Sequence, residues 1–171
     1  MKILNFGSCN IDFVYKLDHI VTIGETETSN SMQVFPGGKG LNQSVALAKA
    51  GMEVYHAGCI GTDGEMLTDV LKSNGVDISN IKNVDEKTGH AVIQVSRNGD
   101  NSIFLYSGSN AKITEEFVDE VLDKFQKGDM LLLQNEINKI DYIIEKAYKK
   151  GMCIIFNPSP YNDEIKNLDF N

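Results

Sequence analysis

The chain has little of several things. It contains no tryptophan, three prolines and three cysteines, and its 16 basic side chains are outnumbered by 24 acidic ones. Cys9, Cys59 and Cys153 form no C-x-x-C pair and are odd in number, which argues against a disulfide framework or a zinc site and fits a reducing cytoplasm. A net charge of -8 excludes the basic face that nucleic-acid phosphates require, and it favours solubility. No apolar run is long enough to span a bilayer and no stretch is both basic and amphipathic, so no membrane partner is expected. The apolar stretch ahead of Cys9 is too short for a signal-peptide core and reads instead as a first buried strand. His19, His56 and His90 are scattered without metal-ligand spacing and read as surface or packing residues; no nucleophilic triad stands out. With no linker, repeat or low-complexity tract, 171 residues imply one domain.

What is present alternates. Continuous apolar runs bounded by turn residues mark strands at Lys2–Phe6, Val54–Ile60, Met130–Gln134 and Cys153–Phe156, the pattern of strands buried on both faces of a parallel sheet. Between them, apolar residues spaced three and four apart predict helices over Leu41–Ala50, Glu65–Ser73, Glu115–Gln126 and Asp141–Lys150, each closed by a nearby glycine. The expected class is α/β, three-layered, with a mostly parallel sheet. Two segments break the rhythm. Residues 13–35 carry extended pieces at Phe13–Lys16 and Met32–Phe35. Residues 90–106 carry Ala91–Val95 and Ser102–Tyr106 around the loop Arg97-Asn98-Gly99-Asp100. These four pieces suggest a small second sheet, a β lid inserted into the domain. Past Asn157-Pro158-Ser159-Pro160, a weak helix or turn leads towards Leu168-Asp169-Phe170, where a further strand is expected to begin.

Three places carry chemistry. Phe35-Pro36-Gly37-Gly38-Lys39-Gly40-Leu41-Asn42 opens the alanine-rich helix. Its glycines either let a ligand reach exposed N–H groups at the positive end of a helix, or serve a tight strand-to-helix turn for steric reasons. It is neither a Walker A loop nor a dinucleotide fingerprint. Asn10-Ile11-Asp12 lies just past the first strand, where ligands of α/β sheets sit, and reads either as a grip on neighbouring hydroxyls or as a solvated loop. Glu136 and Asn157 follow two further strands in the same manner, and Ser107-Gly108-Ser109-Asn110 reads either as a segment that closes over a ligand or, by preference, as a turn.

Together these pieces resemble the ribokinase-like (phosphofructokinase-B) family of carbohydrate kinases. The family's first signature, G-G-K-G-x-N-x-A-x-A-x-A-x-x-G, is matched by Gly37 to Gly51 at every fixed position but one, where Ser44 replaces an alanine. Gly58-Cys59-Ile60-Gly61-Thr62-Asp63 is similar to its G-x-x-G-x-D, and Asn157-Pro158-Ser159-Pro160 to its N-P-A-P. The lysine after the glycine pair is most similar to the ribokinase branch. The resemblance implies that Asn10, Asp12, Gly38, Lys39, Asn42 and Glu136 bind sugar hydroxyls, with Lys39 also facing the phosphoryl group. It implies a lid that pairs between subunits into a homodimer. Asn135, where ribokinases often carry an apolar residue, leaves the sugar open. The family's second signature, D-T-x-G-A-G-D, which supplies the catalytic aspartate and anion hole, does not occur in the 171 residues, and its N-x-x-E magnesium motif is expected just past Asn171; Asn83-Val84-Asp85-Glu86 has the same spelling but lies far ahead of that place. The expectation is therefore a truncated fold: the amino-terminal, sugar-binding half of an ATP- and magnesium-dependent kinase, inactive alone. The alternatives are a non-catalytic sugar-binding or interaction module and half of a nucleoside kinase.

Overall fold

In a computed structural model, described over residues 1–163 and 165, the elements follow one another as β1 (Ile3–Phe6), β2 (Asn10–Lys16), β3 (Ser31–Gly37), α1 (Lys39–Lys49), β4 (Val54–Ile60), α2 (Glu65–Ser73), β5 (Asp77–Asn83), β6 (Gly89–Val95) and β7 (Asn101–Tyr106). A 3-10 turn (Gly108–Ala111), α3 (Glu115–Leu122), β8 (Met130–Gln134), α4 (Ile140–Lys150) and β9 (Cys153–Asn157) complete the order. The segment leading to Leu168-Asp169-Phe170, expected to turn towards another strand, lies outside the described residues.

Five strands pair in parallel in the order β5-β4-β1-β8-β9. Every residue of β1 is buried, because helices cover both sides of the sheet. On one side Leu4, Phe6, Leu131 and Leu133 pack against Val118 and Val121 of α3 and Ile143 of α4. On the other, Val54 and Ile60 meet Leu41 of α1 and Leu67 and Leu71 of α2. Burial of this kind contributes about 25 cal/mol per Å2 of apolar surface, so these two layers dominate stability. The caps follow residue chemistry. Thr114 accepts from the Phe117 N–H at 3.2 Å to start α3, and Gly151 ends α4 with φ +75°, where a Cβ would be strained.

One polar group interrupts the apolar run of β1. Asn5 is fully buried and donates to Gly40 O at 2.7 Å and to Ser44 Oγ at 2.8 Å, so it ties α1 to the sheet. Gln134 Nε2 donates to Asn5 Oδ1 at 2.9 Å, and Ser44 Oγ meets His56 Nδ1 at 2.8 Å. A buried network of this kind fixes register because each lost partner strands another polar atom.

The extended pieces of residues 13–35 and 90–106 lie in a separate four-stranded sheet, β3-β2-β6-β7. Strand β2 pairs antiparallel with β3 and parallel with β6, and β6 pairs antiparallel with β7.

One strand has no sequence expectation and three expectations are corrected. Asp77–Asn83 has no apolar run, yet it is β5, an edge strand with a register shift against β4 whose partly buried Ile78 and Ile81 both pack on the core. Asn10-Ile11-Asp12 is not a loop but the start of β2, held by Ile11, which is buried between Pro36 and His90 in register. Helix α3 ends at Leu122, and residues to Phe125 continue as tighter turns. Asn157 closes β9 and does not follow it.

Candidate functional site

The chain leaves β1 at Phe6 and enters β2 at Asn10 through Gly7-Ser8-Cys9, and the start of α1 is pressed against this passage. A Cβ on Gly40 would stand 2.4 Å from Ser8 N and 2.6 Å from Gly7 C. One on Gly38, whose φ is +94°, would stand 2.9 Å from Ser8 O. Leu41 N–H donates to Ser8 O at 2.9 Å and Gly40 N–H to Ser8 Oγ at 3.2 Å. The glycines here serve a close backbone approach. The N–H groups at the helix start are largely taken, because that of Lys39 donates to Glu136 Oε2 at 3.0 Å.

Glu136, one residue beyond Asn135 at the end of β8, is the hub. Its Oε2 also accepts from Ser8 Oγ at 2.5 Å, and its Oε1 pairs with Lys39 Nζ at 2.6 Å. The Glu136 side chain is only 7% exposed, whereas that of Lys39 is 37% exposed, so the lysine reaches in from solvent to meet it. Asp12 sits over Gly37, whose absent Cβ would lie 2.1 Å from Asp12 Oδ2. Burial, and then the charge of Glu136, push the Asp12 carboxyl above its ordinary range, and Lys39 offsets this only in part.

Asn10 is buried and its Oδ1 accepts from Asn110 Nδ2 at 2.7 Å. A cavity of about 320 Å3 opens beside it, lined by Asn10, Asn110, Glu136, Tyr106 and Asn138 among others. Of the sequence-derived candidates, Asn10 and Glu136 share this cavity. Lys39 is joined to it through Glu136, and Asp12 couples to both charges. Gly38 forms the turn below. Asn42 is exposed on the first turn of α1, where its backbone N–H donates to Gly38 O at 3.0 Å, and it does not line the cavity. Ser8 escapes sequence reasoning and Asn110 enters it only within a segment read by preference as a turn, although both are buried polar residues in the site. The only signal for them is polar residues in a glycine-flanked segment, Gly7-Ser8 and Gly108-Ser109-Asn110.

Acceptors at Glu136 and Asp12 beside donors at Lys39 and Asn10 suit a neutral ligand rich in hydroxyls, each of which both donates and accepts. Among the described residues no group of three His, Cys, Asp or Glu side chains could hold a metal ion, and no helix is long and apolar enough to cross a membrane.

The chain is similar to known proteins in sequence and fold. The ribokinase of Haemophilus influenzae is 35% identical over 170 residues, covering 95% of this chain and 56% of that protein. The crystal structure of ribokinase from Cryptococcus neoformans in complex with ADP superposes with a TM-score of 0.81 at 36% identity, covering 96% of this chain and 53% of that one. The structure of Arabidopsis thaliana ribokinase complexed with ribose and ATP gives a TM-score of 0.75 at 30% identity, covering 91% of this chain and 52% of that one. The chain thus spans about half the length of the relatives it matches. The sequence profile described as pfkB family carbohydrate kinase matches residues 1–160, and the chain belongs to that family.

Proposed function

We propose that this chain is the sugar-binding half of an ATP-dependent carbohydrate kinase whose parent reaction phosphorylates the primary hydroxyl of a small sugar, ribose first among them. The observation that carries this reading is the anchoring of Glu136 by three donors from Ser8 and Lys39, at the wall of a cavity that Asn10 also lines. Such a carboxylate is pre-organised to accept from a hydroxyl without paying to be ordered. In this reading Glu136 and Asp12 accept from the sugar, and Asn10 and Lys39 donate, while Asn42, exposed outside the cavity, has no part in holding it. Gly38 keeps the turn low enough for close approach. The ribokinase names of the relatives favour ribose, and the ribose and ATP in the Arabidopsis structure belong to that protein.

ATP and magnesium are assigned to the full-length family enzyme, not to these residues. The start of α1 does not fit a phosphate, because its N–H groups are already taken, that of Lys39 by Glu136 and those of Gly40 and Leu41 by Ser8, and Asp12 adds a second acidic side chain. The signature for the catalytic aspartate and anion hole does not occur in the 171 residues, so the chain alone should bind a sugar without turning it over. A cytoplasmic setting accords with three free cysteines. The four-stranded sheet is read as a lid through which two copies pair.

The test is a thermal-shift screen of pentoses, hexoses and nucleosides, joined to an ADP-release assay with magnesium. Ribose should stabilise the fold, by about 2.7 kcal/mol at 100 times its dissociation constant, with no turnover. Stabilisation by nucleosides alone would transfer the reading to a nucleoside kinase. Turnover on the order of 1 per second or more would overthrow the half-site assignment.

A further inference from the structure

Asn110 lies in the 3-10 turn after β7 and is 2% exposed. Its amide is held at both heads. The oxygen accepts from Cys9 N–H at 3.1 Å, and the nitrogen donates to Asn10 Oδ1 at 2.7 Å and to Cys9 O at 3.3 Å. Amide oxygen and nitrogen look alike by shape, so their assignment must come from a partner whose polarity is fixed. Cys9 N–H is such a partner, since a backbone N–H only donates. It fixes the oxygen of Asn110, which places the NH2 towards Asn10, and Asn10 must answer with its oxygen. The half of the Asn10 amide left for a ligand is then the NH2. Gly89 makes room for the pair: a Cβ there would stand 2.1 Å from Asn110 Nδ2 and 2.7 Å from Asn10 Oδ1.

We propose that Asn110 is a positioning residue that sets the amide polarity of Asn10, so that Asn10 meets the ligand only as a hydrogen-bond donor. This rests on the reading of the cavity as a sugar site. The division of labour follows from it. Glu136 and Asp12 take hydroxyl protons, while Asn10 addresses a hydroxyl lone pair. A ligand that offers a donor at the Asn10 position meets like with like and is rejected, because an unmatched polar pair in a buried site carries the desolvation penalty of both groups.

The experiment is a double-mutant cycle on D-ribose binding, measured by calorimetry with the 171-residue chain, using Asn10→Ala, Asn110→Asp and the two combined. Asn110→Asp keeps the size of the side chain and an oxygen for Cys9 N–H, but it presents a second oxygen to Asn10 and turns that amide round. Expected from Asn110→Asp is a loss of at least about tenfold in affinity, equal to about 1.4 kcal/mol, when Asn10 is intact and none when Asn10→Ala is already present. Asn110→Ala serves as a second variant, with the same non-additive pattern expected. Equal losses in both backgrounds would show a general structural effect and overturn the proposal, as would unchanged affinity in Asn110→Asp. If the unmutated chain binds no ribose, the sugar-site reading fails and this inference fails with it. Binding by the unmutated chain with no coupling would remove this inference alone.

Discussion

Ser8 Oγ donates to Glu136 Oε2 at 2.5 Å across 128 positions of sequence, while the same oxygen accepts the Gly40 N–H at 3.2 Å. One hydroxyl therefore joins the end of β1, the start of α1 and the residue beyond β8. Ser8→Ala removes a donor from a nearly buried carboxylate and an acceptor from a buried N–H. It should lower stability by about 1–3 kcal/mol and weaken ribose binding about tenfold. Urea unfolding and calorimetry measure the two, and unchanged binding in a folded variant would show that Lys39 alone suffices to hold Glu136.

The glycines of the first signature separate into two kinds. Gly40→Ala drives a Cβ into the backbone of Gly7 and Ser8, which cannot yield, and should cost about 1–3 kcal/mol or more. For Gly37→Ala the nearest atoms are those of the Asp12 carboxylate, which can swing away. That variant should melt near the parent temperature yet lose ribose-induced stabilisation. The opposite ranking in a thermal-shift series would count against Asp12 as a sugar ligand.

Asp12 opposes the unliganded fold. Its carboxyl is raised by burial and by Glu136, so the folded chain holds its proton more tightly than the unfolded one does. Stability then falls as pH rises past the unfolded value near 4 and through the raised folded value, and the deficit remains at neutral pH. Asp12→Asn should raise the melting temperature at pH 7, with the gap closing at acid pH, and should abolish the response to ribose. A lower melting temperature at pH 7 would make Asp12 a stabilising residue.

His56 makes the fold acid-sensitive. Complete burial pushes the imidazole down to about 4, and the neutral ring meets Ser44 Oγ at 2.8 Å and Cys9 Sγ at 3.2 Å. The unfolded chain takes up the proton near pH 6.5 and the folded chain does not, so stability falls between about 6.5 and 4, by on the order of 3 kcal/mol from this group. His56→Asn should be less stable at pH 7 but show a shallower decline over that window. Parallel pH profiles for the two chains would remove His56 as the cause.

The lid exposes Phe104 at 60% and Ile103 at 52%, on opposite faces of the edge strand β7, and Phe35 at 44% on β3. Exposed apolar groups on a sheet with open edges favour association. Light scattering should give a mass at least twice 18.9 kDa that persists at micromolar concentration, and Ile103→Lys with Phe104→Lys should halve it. A monomer of the unmutated chain would dismiss pairing through the lid.

What the sequence discloses follows burial. Val54–Ile60 and Met130–Gln134 are legible to the residue because strands covered on both faces are written as continuous apolar runs. Strand β5 is not, because its Asp77, Ser79 and Lys82 belong to an edge whose pairing with β4, not its composition, makes it extended. Glu136 is betrayed by its place after a strand. Ser8 and Asn110 stay hidden because their meaning lies in partners 128 and 101 positions away, which no local pattern encodes. Asn42 shows the converse: its motif position is clear, but its side chain stands outside the cavity.

All four strands of the lid are rooted at the same place. In register Asn10 stands beside Gly37 and Gly89, and His90 beside Tyr106, while the far ends at Lys16, Ser31, Val95 and Asn101 project away. Seven residues of strand span roughly 23 Å, so the sheet is a lever whose fulcrum is the cavity wall. A rotation of roughly ten degrees at the Asn10 end displaces the tips by roughly 4 Å over that length. Any pivot at the root would be multiplied at the tips by the length of the strands alone.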